Sequence, residues 1–284
     1  MGAQVIARRA LLGGAVALGG LGLAPAAVLA RSGTAREETL RVSATRTTQM
    51  WVWQAAQPRG IAVFSHGHGG APLRYGLIVE QLVRDGWTVA APLHVDSLSH
   101  PDRAKFSAQA GFPERINDLN AAIALLQARM PDLPVICAGH SFGTLSALCL
   151  GGGLAYFSRF RNPAVRAVVG FSSPGKVAGL VRPTAFASVD LPVLMISGTA
   201  DTVPGFVTDP ADHLFVSETV AGPSYAYVVK DGGHNLIVET AALQRVKPAL
   251  DAFLAGHGRG DAGARRALAA LKPSTGDRFL VKNA

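Results

Sequence analysis

This sequence predicts an α/β fold with a mostly parallel central sheet, helices on both faces and an antiparallel N-terminal edge, and three observations carry that expectation. Short apolar runs alternate with stretches of helical periodicity from about residue 60 to 255, the pattern that builds a parallel sheet under two layers of helices. The runs are apolar at consecutive positions, as in strands buried on both faces. Two short runs before them, 39–44 and 49–54, are joined by only a polar turn, which suits an antiparallel edge.

The elements follow in order. Residues 61–65 form a buried strand that runs into His66-Gly67-His68-Gly69-Gly70. Residues 74–85 have helical periodicity and stop at Gly86. Residues 88–91 are a second buried strand, ended by Pro92. The polar, irregular stretch 94–112 reads as a loop over the sheet edge. In 114–130, Ile116, Leu119, Ile123 and Leu126 share one face of an amphipathic helix. A strand at 135–138 is followed by a helix of small residues at 141–150. Strands at 165–171 and 192–197, a short helix at 212–220, a last strand at 225–229 and a last major helix at 240–254 complete the pattern.

Composition narrows the class. Hydrophobic residues make up 49% of the 284 and charged residues 16%, enough apolar material for a sizeable core and too little charge for a disordered chain. Residues 1–30 stand apart: Arg8-Arg9, a Gly/Ala-rich apolar run and Val28-Leu29-Ala30 have the three regions of an export signal. The paired arginines and the mild apolar run resemble a twin-arginine (Tat) signal. A periplasmic or secreted protein is therefore expected, with one domain over 31–256, no membrane span in the mature form and a basic tail over 257–284. The tail carries six of the basic residues against two acids within a formal charge of +8. It is expected to be a solvated, partly helical appendage, and no aromatic or nucleic-acid motif accompanies it. Cys137 and Cys149 have no metal-ligand spacing and are expected to be buried free thiols.

The chemistry begins at Gly139-His140-Ser141-Phe142-Gly143, a G-x-S-x-G. The pentapeptide alone is weak, since a short pattern recurs by chance. Its position between a strand and a helix is the informative part: a strand-to-helix turn this tight lifts the serine hydroxyl above the sheet edge. A serine hydroxyl needs a base, and the base needs an orienting acid. Asp201 follows the strand ending at 197, and His234 follows the last strand, so both stand where open α/β sheets place their sites. Asp209, Asp212 and Asp231 are rival acids. An oxyanion needs two aimed N–H donors, and the Phe142 and His68 N–H groups hold the matching positions.

Together, Phe64-Ser65-His66-Gly67-His68-Gly69, Gly139-His140-Ser141-Phe142-Gly143, Gly198-Thr199-Ala200-Asp201 and Gly232-Gly233-His234 resemble the α/β-hydrolase superfamily. Within it, the chain is similar to the dienelactone hydrolase and platelet-activating-factor acetylhydrolase-like branch. The resemblance implies the α/β-hydrolase fold, a Ser141–Asp201–His234 triad, oxyanion donors at His68 and Phe142, and no cofactor. The implied activity is cleavage of a small-molecule carboxylic ester. Thr144 stands where a second glycine is common in that branch.

Other readings stay open. Acyl transfer would use the same triad. A metal-dependent hydrolase would draw ligands from His66, His68, His94 and His100. A non-catalytic binding module on the same scaffold would use none of them.

Overall fold

The computed structural model describes residues 34–283, so the export signal expected over 1–30 lies outside the described residues. β1 (Arg36–Arg41) and β2 (Thr47–Trp53) pair antiparallel, with Arg36 opposite Val52 and Arg41 opposite Thr47. The apolar runs become β3 (Gly60–Ser65), β4 (Trp87–Pro92), β5 (Val135–His140), β6 (Val165–Phe171), β7 (Val193–Gly198) and β8 (Ser224–Val229). These six pair parallel. Their residues are buried throughout, apart from Arg166. β2 joins β4 antiparallel, and β9 (Arg278–Lys282) joins β8 antiparallel. The sheet order is β1-β2-β4-β3-β5-β6-β7-β8-β9.

That order fixes where a site forms. From β3 the chain moves outward to β4, then passes back beyond β3 to β5, so the direction of winding reverses between β3 and β5. A crevice opens at the carboxyl ends of strands at such a reversal. Side chains along each strand alternate between two cores. Ala62 and Phe64 of β3 face α1 (Gly76–Arg84), α5 (Thr240–Phe253) and α6 (Ala262–Ala269). Ile61 and Val63 face α2 (Ala108–Arg129), α3 (Phe142–Leu150) and α4 (Phe215–Thr219).

The expected apolar face of α2 is the buried one: Ile116, Leu119, Ile123 and Leu126 are all buried. The helix starts earlier than its periodicity indicates, because Ser107 caps it by accepting from the Ala110 N–H at 3.1 Å. Pro113 lies inside it, and the first turn has no apolar repeat to mark it as helical. The helix expected over 212–220 splits into a 3-10 turn at Pro210–Leu214 followed by α4. Cys137 on β5 and Cys149 on α3 are free and buried, and burial pushes both thiols well above their ordinary range.

The C-terminal segment differs from expectation. It is built into the domain rather than appended to it. Leu268 of α6 is fully buried, and β9 extends the sheet. Asp277, just before β9, accepts from the Tyr227 hydroxyl at 2.9 Å, the Lys230 N–H at 2.8 Å and Arg245 Nε at 3.0 Å. Arg259 pairs with Asp85 at 2.9 Å and lies 5.5 Å over the Trp87 ring. Arg265 donates to the Gly256 carbonyl at 3.0 Å and Lys282 to the Val220 carbonyl at 3.0 Å, so three of the basic residues that read as a solvated tail are structural partners. Among the described residues, no helix is long and apolar enough to cross a membrane.

Candidate active site

The turn between β5 and α3 is as tight as the glycine spacing implies. Ser141 adopts φ 54° and ψ −120°, a left-handed conformation that a non-glycine residue holds only when its surroundings impose it. Those surroundings are backbone. A Cβ on Gly139 would stand 2.3 Å from the Gly143 carbonyl, and one on Gly143 would stand 2.0 Å from the Ser65 carbonyl oxygen. The start of α3 is therefore pressed against the end of β3, and only glycine fits at either contact. The Ser141 N–H donates to the Phe171 carbonyl at 2.9 Å. Thr144 takes the place of a second glycine usefully: its buried hydroxyl lies 2.9 Å from the Gly139 carbonyl and 3.0 Å from that of Phe171, tying the turn to β5 and β6.

Asp201 follows β7 and is fully buried; His234 follows β8 and is partly exposed. His234 Nδ1–H donates to Asp201 Oδ1 at 2.8 Å, which leaves Nε2 as the free, basic nitrogen. The carboxylate has a further donor in Ser197 Oγ, 2.8 Å from Oδ2, and His213 Nε2 donates to the Asp201 main-chain carbonyl at 3.0 Å while also lying 3.0 Å from Oδ1. Burial raises the Asp201 carboxyl, but the hydrogen bonds from His213 and His234 outweigh it and hold the group well below the usual carboxylate range. No hydrogen bond joins the Ser141 hydroxyl to His234 among the described residues. Such links often close only around substrate. The rival acids serve elsewhere: Asp209 caps the turn at Pro210–Leu214, and Asp212 pairs with Lys176 at 2.7 Å.

The loop expected to supply an oxyanion donor, residues 66–70, leaves β3 beside β5. Neither the Phe142 nor the His68 backbone N–H is matched to an acceptor among the described residues; the first heads α3, where a helix leaves N–H groups free. A fully buried arginine holds the loop from below. Arg115 donates to the His66 carbonyl at 2.7 Å and to the Gly67 carbonyl at 3.2 Å. It also grips Asp96 with two bonds of 2.7 and 2.8 Å. Asp96 in turn meets His68 Nδ1 at 3.0 Å and the Gly69 N–H at 3.3 Å. Beside Ser141, the Phe142 ring packs on Phe112 (centroids 5.5 Å apart), and Phe112 on Phe157 (6.4 Å), which is 53% exposed. An apolar file of rings thus runs from the residue after Ser141 to the surface.

Two expectations need comment. The metal alternative does not match the geometry. His66 Nδ1 is bonded to the Gly67 carbonyl and its Nε2 accepts from the His94 N–H, while His94 lies between Ser65 and Asp118 at 2.9 Å each. Both rings have every nitrogen committed, so His66, His68, His94 and His100 do not converge. Among the described residues, the one group of side chains close enough to share an ion is Asp201, His213 and His234, and these are joined by hydrogen bonds. His213 is also the residue that sequence reasoning missed. It lies within the stretch that periodicity assigns to a short helix over 212–220, but sits in the 3-10 turn after Asp201, fully buried and turned back onto the acid. Its only signal was a histidine in the loop that the acid opens.

Residues 56–183 match a family described as "Serine aminopeptidase, S33" (Hydrolase_4). The phospholipase YtpA of Bacillus subtilis is 30% identical over 129 residues, a match that spans 44% of this chain and 44% of that protein. Three solved structures share the fold. A thermostable carboxyl esterase from Bacillus coagulans aligns with TM-score 0.64 at 14% identity, covering 79% of this chain and 99% of that one. A dienelactone hydrolase from Anabaena variabilis aligns at 0.63 and 19%, covering 81% and 100%. An acylaminoacyl peptidase from Pyrococcus horikoshii aligns at 0.63 and 12%, covering 84% and 44%.

Proposed function

We propose that this chain, an α/β-hydrolase by fold, is a serine hydrolase that cleaves a carboxylic ester through an acyl-enzyme on Ser141. The observation that carries the reading is the buried Asp201 bonded to His234 Nδ1 at 2.8 Å, at the same sheet edge as a strained serine turn. The family match and the esterase and phospholipase relatives support a hydrolase.

In the proposed reaction, Ser141 Oγ attacks the ester carbonyl as His234 Nε2 takes its proton. Asp201 holds the imidazole in the tautomer that makes Nε2 the base and stabilises the imidazolium. The Phe142 and His68 N–H groups receive the oxyanion of the tetrahedral intermediate. The imidazolium returns its proton to the departing alkoxide, leaving an acyl-Ser141. Water, deprotonated by His234, then attacks the acyl carbon, and the serine leaves with the proton. The file Phe142, Phe112 and Phe157 supports an apolar acyl or alcohol group.

A second reading, amide cleavage by the same residues, is favoured by the family description and by the acylaminoacyl peptidase neighbour. Export through the signal expected over 1–30 belongs to the same proposal, and fractionation of cells expressing the full chain tests it.

The deciding experiment is labelling with a fluorophosphonate, followed by kinetics on p-nitrophenyl acetate, p-nitrophenyl decanoate and an aminoacyl p-nitroanilide. The native protein is expected to label and to prefer the decanoate. Ser141→Ala is expected to lose labelling and at least about a thousandfold of the activity. Undiminished labelling of Ser141→Ala sinks the proposal; turnover of the anilide alone transfers it to amides.

A further inference from the structure

We propose that Tyr75 and His140 form a positioning pair that ties the oxyanion loop to the loop carrying His234, so that donor and base keep one spacing. The proposal rests on the serine hydrolase reading above. Three hydrogen bonds make the chain: the Gly67 N–H to Tyr75 Oη at 2.9 Å, Tyr75 Oη to His140 Nδ1 at 3.0 Å, and His140 Nε2 to the His234 carbonyl at 2.8 Å.

The protons in this chain have one arrangement. An amide N–H only donates, so the Tyr75 oxygen accepts from Gly67. Its own proton then goes to His140 Nδ1, which must be bare. A neutral imidazole with bare Nδ1 carries its proton on Nε2, and the His234 carbonyl can only accept it. The other tautomer would set Nε2 lone pair against carbonyl lone pair. Burial supports the neutral form, pushing His140 down to about 4.

The linked segments are far apart in the chain, at residues 67, 140 and 234, and each bears on the reaction. Gly67 precedes His68, whose N–H is the proposed oxyanion donor. His140 precedes the nucleophile. The His234 carbonyl belongs to the proposed base, and it also receives Ser172 Oγ at 3.3 Å. The contact leaves no slack: a Cβ on Gly67 would stand 3.1 Å from His140 Nδ1 and 3.2 Å from Tyr75 Oη. Simple packing would explain the buried tyrosine ring; it does not require an unbroken donor–acceptor sequence between the two halves of a site. Misplacement of reacting groups by a fraction of an ångström is enough to slow acylation.

The test uses the full-length chain and p-nitrophenyl acetate. Tyr75→Phe removes one oxygen, His140→Gln keeps an N–H for the His234 carbonyl, and His140→Leu removes both bonds. Tyr75→Phe is expected to lower kcat about tenfold or more with KM within about twofold. His140→Gln is expected to retain more kcat than His140→Leu, and Tyr75→Phe/His140→Leu to be no slower than His140→Leu alone, because both act on one chain. If His140→Leu does not fold, the cycle of Tyr75→Phe, His140→Gln and their double variant is read in the same way. Wild-type kcat in Tyr75→Phe, or losses that multiply in the double variant, overturns the pair while Ser141 labelling stays intact. Labelling that survives Ser141→Ala overturns the hydrolase reading beneath it instead.

Discussion

At the scale of single residues, Asp201 is a buried carboxylate surrounded by donors. His234 and Ser197 donate to its carboxylate, His213 donates to its main-chain carbonyl beside Oδ1, and the two imidazoles hold it ionised despite burial. The negative charge that would stabilise an imidazolium at His234 is therefore present throughout the neutral range. Asp201→Asn presents an amide to His234 Nδ1 and favours the wrong tautomer, so kcat is expected to fall about ten-thousandfold with little change in fold. His213→Leu removes the donor to the Asp201 main-chain carbonyl and the imidazole beside Oδ1, and about 1–2 kcal/mol of stability should go with them. Steady-state kinetics and urea denaturation of the two variants separate these roles: equal activity losses would deny His213 its secondary place. Ser141, Asp201 and His234 were readable because each lies within a few residues of a strand's carboxyl end. His213 was not, because a side chain's direction out of an irregular loop has no sequence period.

At the scale of elements, the site exists because α3 lies against the end of β3. The glycines at 139 and 143 make that contact possible, and their neighbours are backbone atoms that cannot swing aside. Gly143→Ala is expected to destabilise the fold by at least about 2 kcal/mol, at the upper range of overpacking, and to displace the oxyanion loop. A urea midpoint equal to that of the native chain would show that the loop yields, contrary to this account. Strands were legible from composition, since a strand buried on both faces is a continuous apolar run. The first turn of α2 was not, because it lacks an apolar repeat and begins on the cap of Ser107. β9 was missed for a related reason: Phe279-Leu280-Val281 is too short a run to stand out from a basic segment.

At the scale of the whole molecule, buried histidines govern the response to acid. His66, His94 and His140 are all buried, and burial holds each of them neutral, His66 and His94 well below the ordinary histidine range and His140 at about 4. In the unfolded chain each would take up a proton near pH 6.5. Between pH 6.5 and about 4 these three histidines leave the unfolded state with more protons, whereas Asp118 beside His94, which burial raises to about 7, keeps in the fold a proton that the unfolded chain gives up; the histidines outnumber it, so stability falls as pH falls, by up to about 1.4 kcal/mol per pH unit for each histidine not offset. The lowered carboxyls of Asp96 and Asp201 add their loss only below the ordinary carboxylate range, in a lower window. Thermal unfolding followed from pH 7 to pH 4 should show a steep decline that begins near 6.5. A midpoint constant down to pH 4.5 would contradict it.

What the sequence by itself determined was everything that depends on neighbours along the chain. The strand–turn–helix around Ser141 follows from glycine spacing between an apolar run and a helical one, and the later arrival of Asp201 and His234 follows from their places in the short loops just beyond two strands. The tertiary structure alone decided which distant groups complete the site. His213 turns onto Asp201, Arg115 grips the loop over residues 66–70, Tyr75 and His140 bridge residues 67 and 234, and the basic C-terminal segment supplies a ninth strand. The reason is physical. Backbone periodicity records which face of a strand or helix is buried, whereas a hydrogen bond between segments depends on the order of strands in the sheet and on side-chain directions that no local period encodes.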